Sequence, residues 1–171
     1  MKAIRIILVL TLFAGLFATD AMAQRKKKKK DTEEFTIGNY EVQFVRTGLE
    51  GTTLFKIFSY GKNYETALEN AKPDAIKAVI FKGIPGSDSA RPMVREYDLS
   101  RSQRDFFTEF FDNKYYLNFV TISGDGSVDP GDVIRISRNE YKVGVVVSVH
   151  KNDLRKYLEQ AGIIRGLGAG F

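Results

Sequence analysis

The sequence predicts an α+β domain, a mostly antiparallel sheet of about five strands with two or three helices packed on one face. Three observations lead there. Strand-like alternation recurs at Phe35–Val45 and Thr52–Tyr60 across the short turn Thr47–Gly51, the layout of a hairpin. Apolar residues three or four apart mark helices over Ala67–Ile80 and Phe106–Phe111. The element order β-β-α-loop-α-β-β-β-α keeps hairpins and helices in separate blocks, as antiparallel architectures do.

Each element has its own local reason. Phe35–Val45 is rich in β-branched and aromatic residues, and Thr52–Tyr60 is its hairpin partner. Gly61-Lys62-Asn63 closes the pair and places Asn63 to cap a helix. Over the next twenty residues Ala67, Leu68, Ala71, Ala75, Ile76, Val79 and Ile80 line one stripe, whose alanines let a helix lie close on a sheet. Pro73 has no N–H and its ring crowds the preceding turn, so a kink or break is expected near Ala71–Lys72. Gly83 is the expected stop.

Residues 83–100 contain two prolines, two glycines and three serines and read as a long surface loop. Ser100 and Gln103 have the spacing of a capping box. The helix they open gathers Phe106, Phe107, Phe110 and Phe111 on one face, a stripe that reads as core. Tyr115–Ile122 returns to strand character, and Ser123–Asp132 is a turn-rich connection. Val133–Ile136 and Glu140–Val149 are two further strands. The second is so continuously apolar that it is expected to be central and covered on both faces. Asn152 or Asp153 can cap a last helix, Leu154–Gln160, which Gly162 stops.

The ends of the chain speak to compartment. Lys2 and Arg5 precede an apolar segment from Ile6 to about Ala18, followed by Ala21-Met22-Ala23. That is the layout of a secretory signal peptide cleaved before Gln24. No cysteine follows to carry a lipid. The organisation read from the chain is therefore a signal peptide over 1–23, a basic flexible tail over 24–33, one α+β domain over 34–162, and a flexible apolar tail over 163–171.

The whole chain carries a formal +5; Lys2, Arg5 and Asp20 account for +1 and Arg25–Lys30 for +6, which leaves −2 over residues 31–171. The basic character belongs to the tail. A nucleic-acid-binding domain carries its positive charge on the fold, so no nucleic-acid partner is expected. Arg25–Lys30 reads as a solvated spacer, with contact to an anionic membrane surface as its functional alternative. The absence of cysteine excludes thiol nucleophiles and thiolate metal sites, and leaves an exported domain to be held by its core alone.

Candidates for chemistry are few. His150 is the single histidine, and neither a nucleophile elbow nor further strong ligands accompany it for a triad or a zinc site. Asp125, Asp129 and Asp132 share one glycine-rich loop with oxygen ligands suited to calcium. Their spacing departs from the calcium-loop pattern, and aspartates in such turns commonly bond to their own backbone. Arg91, Arg95, Arg101 and Arg104 flank the long loop and can clamp an anion or an acidic partner. Asp88, Glu96, Asp98 and Asp105 interleave with them and would pair with them in a purely structural role. No cofactor and no catalytic residue is expected.

The signal ending in Ala-Gln ahead of a polar tail resembles exported envelope proteins of the Bacteroidota. The alanine-spaced helix Ala67–Gly83 and the later YKVGVVVSVHKNDLRKYLEQAGI are similar to small α+β domains of bacterial envelope lipoproteins and flagellar-assembly proteins. The chain departs from the lipoprotein members in lacking the lipidated cysteine. The resemblance implies a non-catalytic assembly or adaptor role. Two functions follow: an exported interaction module, periplasmic or at the cell surface, docking through loop 83–100 with Leu167 and Phe171 of the tail; or a small-ligand or glycan binder using the arginine-flanked segment 83–104. A hydrolase with an unusual carboxylate site is a third reading.

Overall fold

Alternation in the first hairpin is realised as β1 (Tyr40–Thr47) and β2 (Thr52–Gly61), antiparallel with Tyr40 opposite Ser59 and Phe44 opposite Phe55. The apolar run becomes β5 (Glu140–His150), which pairs with the other edge of β2, Phe55 opposite Val147. The far edge of β5 is shared: β3 (Val120–Ile122) pairs with its second half and β4 (Val133–Ser137) with its first. The result is a five-stranded, wholly antiparallel sheet in the order β1-β2-β5-β3, with β4 also on β5. The computed structural model describes residues 38–124 and 126–166, without the side chain of Tyr97. Residues 1–23, expected to be a signal peptide, the basic stretch with Arg25–Lys30, Phe35–Ile37, Asp125 and Leu167–Phe171 lie outside the described residues.

Period two decides the faces. Thr53, Phe55, Ile57 and Ser59 of β2 and Val143, Val145, Val147 and Val149 of β5 all point to one side and are buried there. Helix α1 (Tyr64–Lys77) lies on this face, capped by Asn63, whose Oδ1 accepts from Thr66 N at 2.8 Å. Its alanines explain the close fit: Ala67, Ala71 and Ala75 are fully buried. At Gly61 the approach is so close that a Cβ would stand 2.3 Å from the Ala67 amide nitrogen.

The break expected at Pro73 does not occur. The helix runs through it to Lys77 and then widens into a π turn over Ala78–Lys82, closed by Gly83 N donating to Ala78 O at 2.8 Å. Proline deprives only the Glu69 carbonyl of a helical donor, and Glu69 is exposed, so water can serve it. Gly83 ends the element at φ 79°, where a side chain would be strained.

Helix α2 (Arg101–Asp112) has the full reciprocal capping box: Gln103 N donates to Ser100 Oγ at 3.3 Å and Ser100 N to Gln103 Oε1 at 2.9 Å. Phe107 and Phe110 are buried and Phe106 and Phe111 half-buried. Helix α3 (Lys151–Gln160) begins one to two residues earlier than its expected caps, directly after β5. Its Leu154 and Leu158 are buried, and its Tyr157 ring lies 5.8 Å from that of Phe110. Each fully buried side chain of this size stabilises the fold by about 1.5–3 kcal/mol.

Three expectations need correction. Tyr115–Phe119 is a 3₁₀ turn, and only Val120–Ile122 is strand. Lys114 takes a left-handed φ of 58°, after which Tyr116 and Phe119, three apart, go inward while Tyr115 and Leu117 stay out. Next, β5 is central but covered by helices on one face alone. On the other, Lys142, Val146 and Ser148 are half-buried and the Phe58 ring lies across Gly144, where a Cβ would meet Phe58 Cε1 at 2.5 Å. Last, the segment after Gly83 is partly core: Ile84, Ser89 and Leu99 are buried. Ile84 N donates to Ser89 O at 2.7 Å and Val94 N to Ile80 O at 2.9 Å.

The start of the C-terminal tail is likewise held. Ile163 N donates to Leu158 O at 2.9 Å, and the Ile163 carbonyl accepts from Gln103 Nε2 at 3.0 Å. The described residues fall in one compact unit. Among them no helix is long and apolar enough to cross a membrane.

Candidate functional site

The arginine-bearing segment is positioned from both sides. Upstream it is tied to the π turn by the Val94–Ile80 bond, and downstream by the Ser100 cap of α2. Arg104 is spent locally: its Nε and Nη2 both donate to the Leu99 carbonyl, at 3.2 and 2.9 Å. Arg91, Arg95 and Arg101 are exposed, and their guanidinium groups make no ion pair or hydrogen bond among the described residues. Among the described residues, Asp88, Asp98 and Asp105 form no ion pair with them. Asp88 turns instead to Lys151 on α3, 3.4 Å away, and neither Asp98 nor Asp105 makes a side-chain ion pair among the described residues. Three free guanidinium groups within eleven residues can engage carboxylates or phosphates in the bidentate manner that lysine cannot.

The other sequence candidates are taken up structurally. His150 is exposed at the N-cap of α3 and gives no side-chain cap bond. Asp129 Oδ1 accepts from Gly131 N at 2.8 Å, an Asx-type turn, and Asp132 pairs with Lys56 of β2 at 2.5 Å. Among the described residues no three histidine, aspartate or glutamate side chains group to hold a metal.

Two features were not read from the sequence. The first is a groove of about 480 Å³ between α1, the 3₁₀ turn and β3, lined by Leu68, Lys72, Pro73, Lys114, Leu117 and Ile122 among others. None of the four arginines lines it. The second is polar and buried. Asp74 on α1 is only 8% exposed and faces Ser59 of β2 and Tyr40 of β1. Neither the Ser59 nor the Tyr40 hydroxyl makes a hydrogen bond of good geometry. Burial pushes the Asp74 carboxyl above its ordinary value, against the opposing pull of the Ser59 hydroxyl and Lys77. Burial also raises the Tyr40 phenol, helped by the nearby Asp74 and Glu96. One signal for this site was present: Ala67, Ala71, Asp74 and Ala78 fall at i, i+4, i+7 and i+11, which puts the aspartate on the buried stripe.

The chain matches no protein-family model, no curated protein and no solved structure.

Proposed function

We propose that the chain is an exported, non-catalytic interaction module of the cell envelope, which docks on an acidic partner through the segment carrying Arg91, Arg95 and Arg101. The export half draws support from the charged–apolar–Ala-Met-Ala layout of residues 1–23. The docking half rests on one observation: the exposed guanidinium groups of Arg91, Arg95 and Arg101 make no ion pair among the described residues, although Asp88, Asp98 and Asp105 alternate with them along the chain. Arginine is the side chain most often used for such contacts. Arg25–Lys30 adds an anionic-surface contact, and Leu167 and Phe171 an apolar one, to the same module.

The alternative, a small-ligand or glycan site on segment 83–104, has less to support it. Small-molecule sites enclose most of their ligand in a concavity. The described groove lies elsewhere, and Arg104 is already engaged by its own backbone.

Envelope extract passed over the mature domain tests the reading, with Arg91→Ala/Arg95→Ala/Arg101→Ala and a truncation after Gly166 as comparisons. Recovery of an acidic protein that falls in the triple variant and at high salt supports it. Equal recovery by the triple variant, or a sugar or phosphate ligand lost in Arg91→Ala, favours the alternative.

A further inference from the structure

The start of β1 rests on a carboxyl that has no ion-pair partner among the described residues. Gly38 packs so tightly on Asp74 that a Cβ there would stand 2.9 Å from Oδ1, and two residues on, Tyr40 is buried with its hydroxyl unpartnered. Ser59, directly opposite Tyr40 in the sheet, is fully buried and its hydroxyl faces the same carboxyl without a hydrogen bond of good geometry among the described residues. Asp74 itself makes no ion pair among the described residues. An ionised carboxylate in this position would be a buried charge between two hydroxyls, a costly state unless something moves.

We propose that Asp74 is a pH-sensitive latch on β1: protonated, it lets Gly38–Val42 pack against α1 and β2, and ionised, it loosens them. The other groups at the site are few and their signs are known. Lys77 on α1 and the Ser59 hydroxyl on β2 favour the ionised form, and burial disfavours it more strongly. Lys82 of the π turn stands 5.2 Å from the Tyr40 ring centre, and Glu96 acts on Tyr40 from the 3₁₀ turn Glu96–Asp98. A carboxyl raised in the folded state contributes stability that is complete below its ordinary value of 3.8 and lost as pH rises through the folded value. The latch therefore closes in acid and slackens towards neutrality. Gly38 of the β1 approach packs on the carboxyl, whereas β2 meets it only at Ser59, whose partner on β5 is Val143, so the slackening is expected at β1 and not at Val145 and Val147 further along β5.

Amide-exchange protection factors across pH 4–8 test this in the mature chain, wild type against Asp74→Asn. The expected result is that protection at Tyr40–Val42 falls with rising pH in the wild type, at most about tenfold per pH unit for one linked proton. Val145 and Val147 hold their protection, and Asp74→Asn shows no such fall. Flat protection at β1 in the wild type, or an equal fall in Asp74→Asn, overturns the latch. Should Asp74→Asn fail to fold, Ser59→Ala decides, since losing that hydroxyl raises the folded carboxyl further and should carry the fall to higher pH before it levels off. A levelling-off point that does not move overturns it, as does a side-chain NMR titration placing the wild-type Asp74 carboxyl at or below 3.8.

Discussion

Tyr157 on α3 packs against Phe119 with ring centres 5.3 Å apart, and this contact fastens the last helix to the 3₁₀ turn that leads into β3. Phe106 and Phe110 of α2 close the cluster, at 6.1 and 5.8 Å from Tyr157. Without disulfides, these rings are the principal tie among three elements that do not share the sheet's hydrogen bonds.

Phe110→Ala should therefore be among the most damaging single changes, lowering stability by roughly 3–5 kcal/mol in urea unfolding. A loss under about 1 kcal/mol, less than the burial of one such ring is worth, would contradict the cluster's role as a tie.

The capping box of α2 makes a separate prediction. Ser100→Ala should cost about 1 kcal/mol. Gln103→Ala removes both the reciprocal cap bond and the donor to Ile163 O, so it should also raise amide exchange at Ile163 and Ile164. Exchange there unchanged by Gln103→Ala would separate the tail from the helix.

Much of the fold was legible because its causes are local. The hairpin, the capping box and the central place of β5 follow from period, turn chemistry and composition. The failures have equally physical sources. At Tyr115–Phe119 aromatic content suits strand and 3₁₀ alike, and the inward pair Tyr116 and Phe119 gives only one interval of three. The helix survives Pro73 because the carbonyl left without a helical donor faces water. As for the site, the arginines were found by composition, but their freedom was not. Asp88 is claimed by Lys151, 63 positions away, which sequence adjacency cannot foresee. The groove is equally non-local, joining residues 68–73 to 114–122.

Two glycines should respond differently to the same change. At Gly61 the added methyl collides with backbone at 2.3 Å and cannot be accommodated by a rotamer shift, so Gly61→Ala should destabilise by about 1–3 kcal/mol. At Gly144 the obstacle is the edge of the Phe58 ring, which can swing aside, so Gly144→Ala should cost less. Thermal unfolding of the two variants checks the order, and its reversal would refute the assignment of Phe58 as a movable cover.

The open face of the sheet carries an acid-sensitive contact. Lys142 Nζ lies 2.7 Å from Glu41 Oε2, and Tyr60 donates to Glu41 Oε1 at 2.8 Å. The Lys142 and Tyr60 bonds hold the Glu41 carboxyl below its ordinary value. A lowered carboxyl contributes stability that is present above its ordinary value of 4.5 and lost as pH falls through the folded value. Glu41→Gln should accordingly flatten the acid limb of a Tm–pH profile by lowering Tm on its neutral side and leaving the most acid values unchanged. The sign is opposite to that at Asp74, so towards neutral pH Glu41→Gln should lower stability where Asp74→Asn raises it.

Photo-crosslinking in living cells would put the docking reading to its hardest test, with a photoreactive residue placed in turn at Arg91, Arg95 and Arg101, and at Leu49 on the β1–β2 turn. If the segment is the docking surface, the three arginine positions give one common adduct in the envelope fraction and Leu49, which is 87% exposed, gives none. Adducts at Leu49 alone, or none from any position in the processed protein, would contradict it.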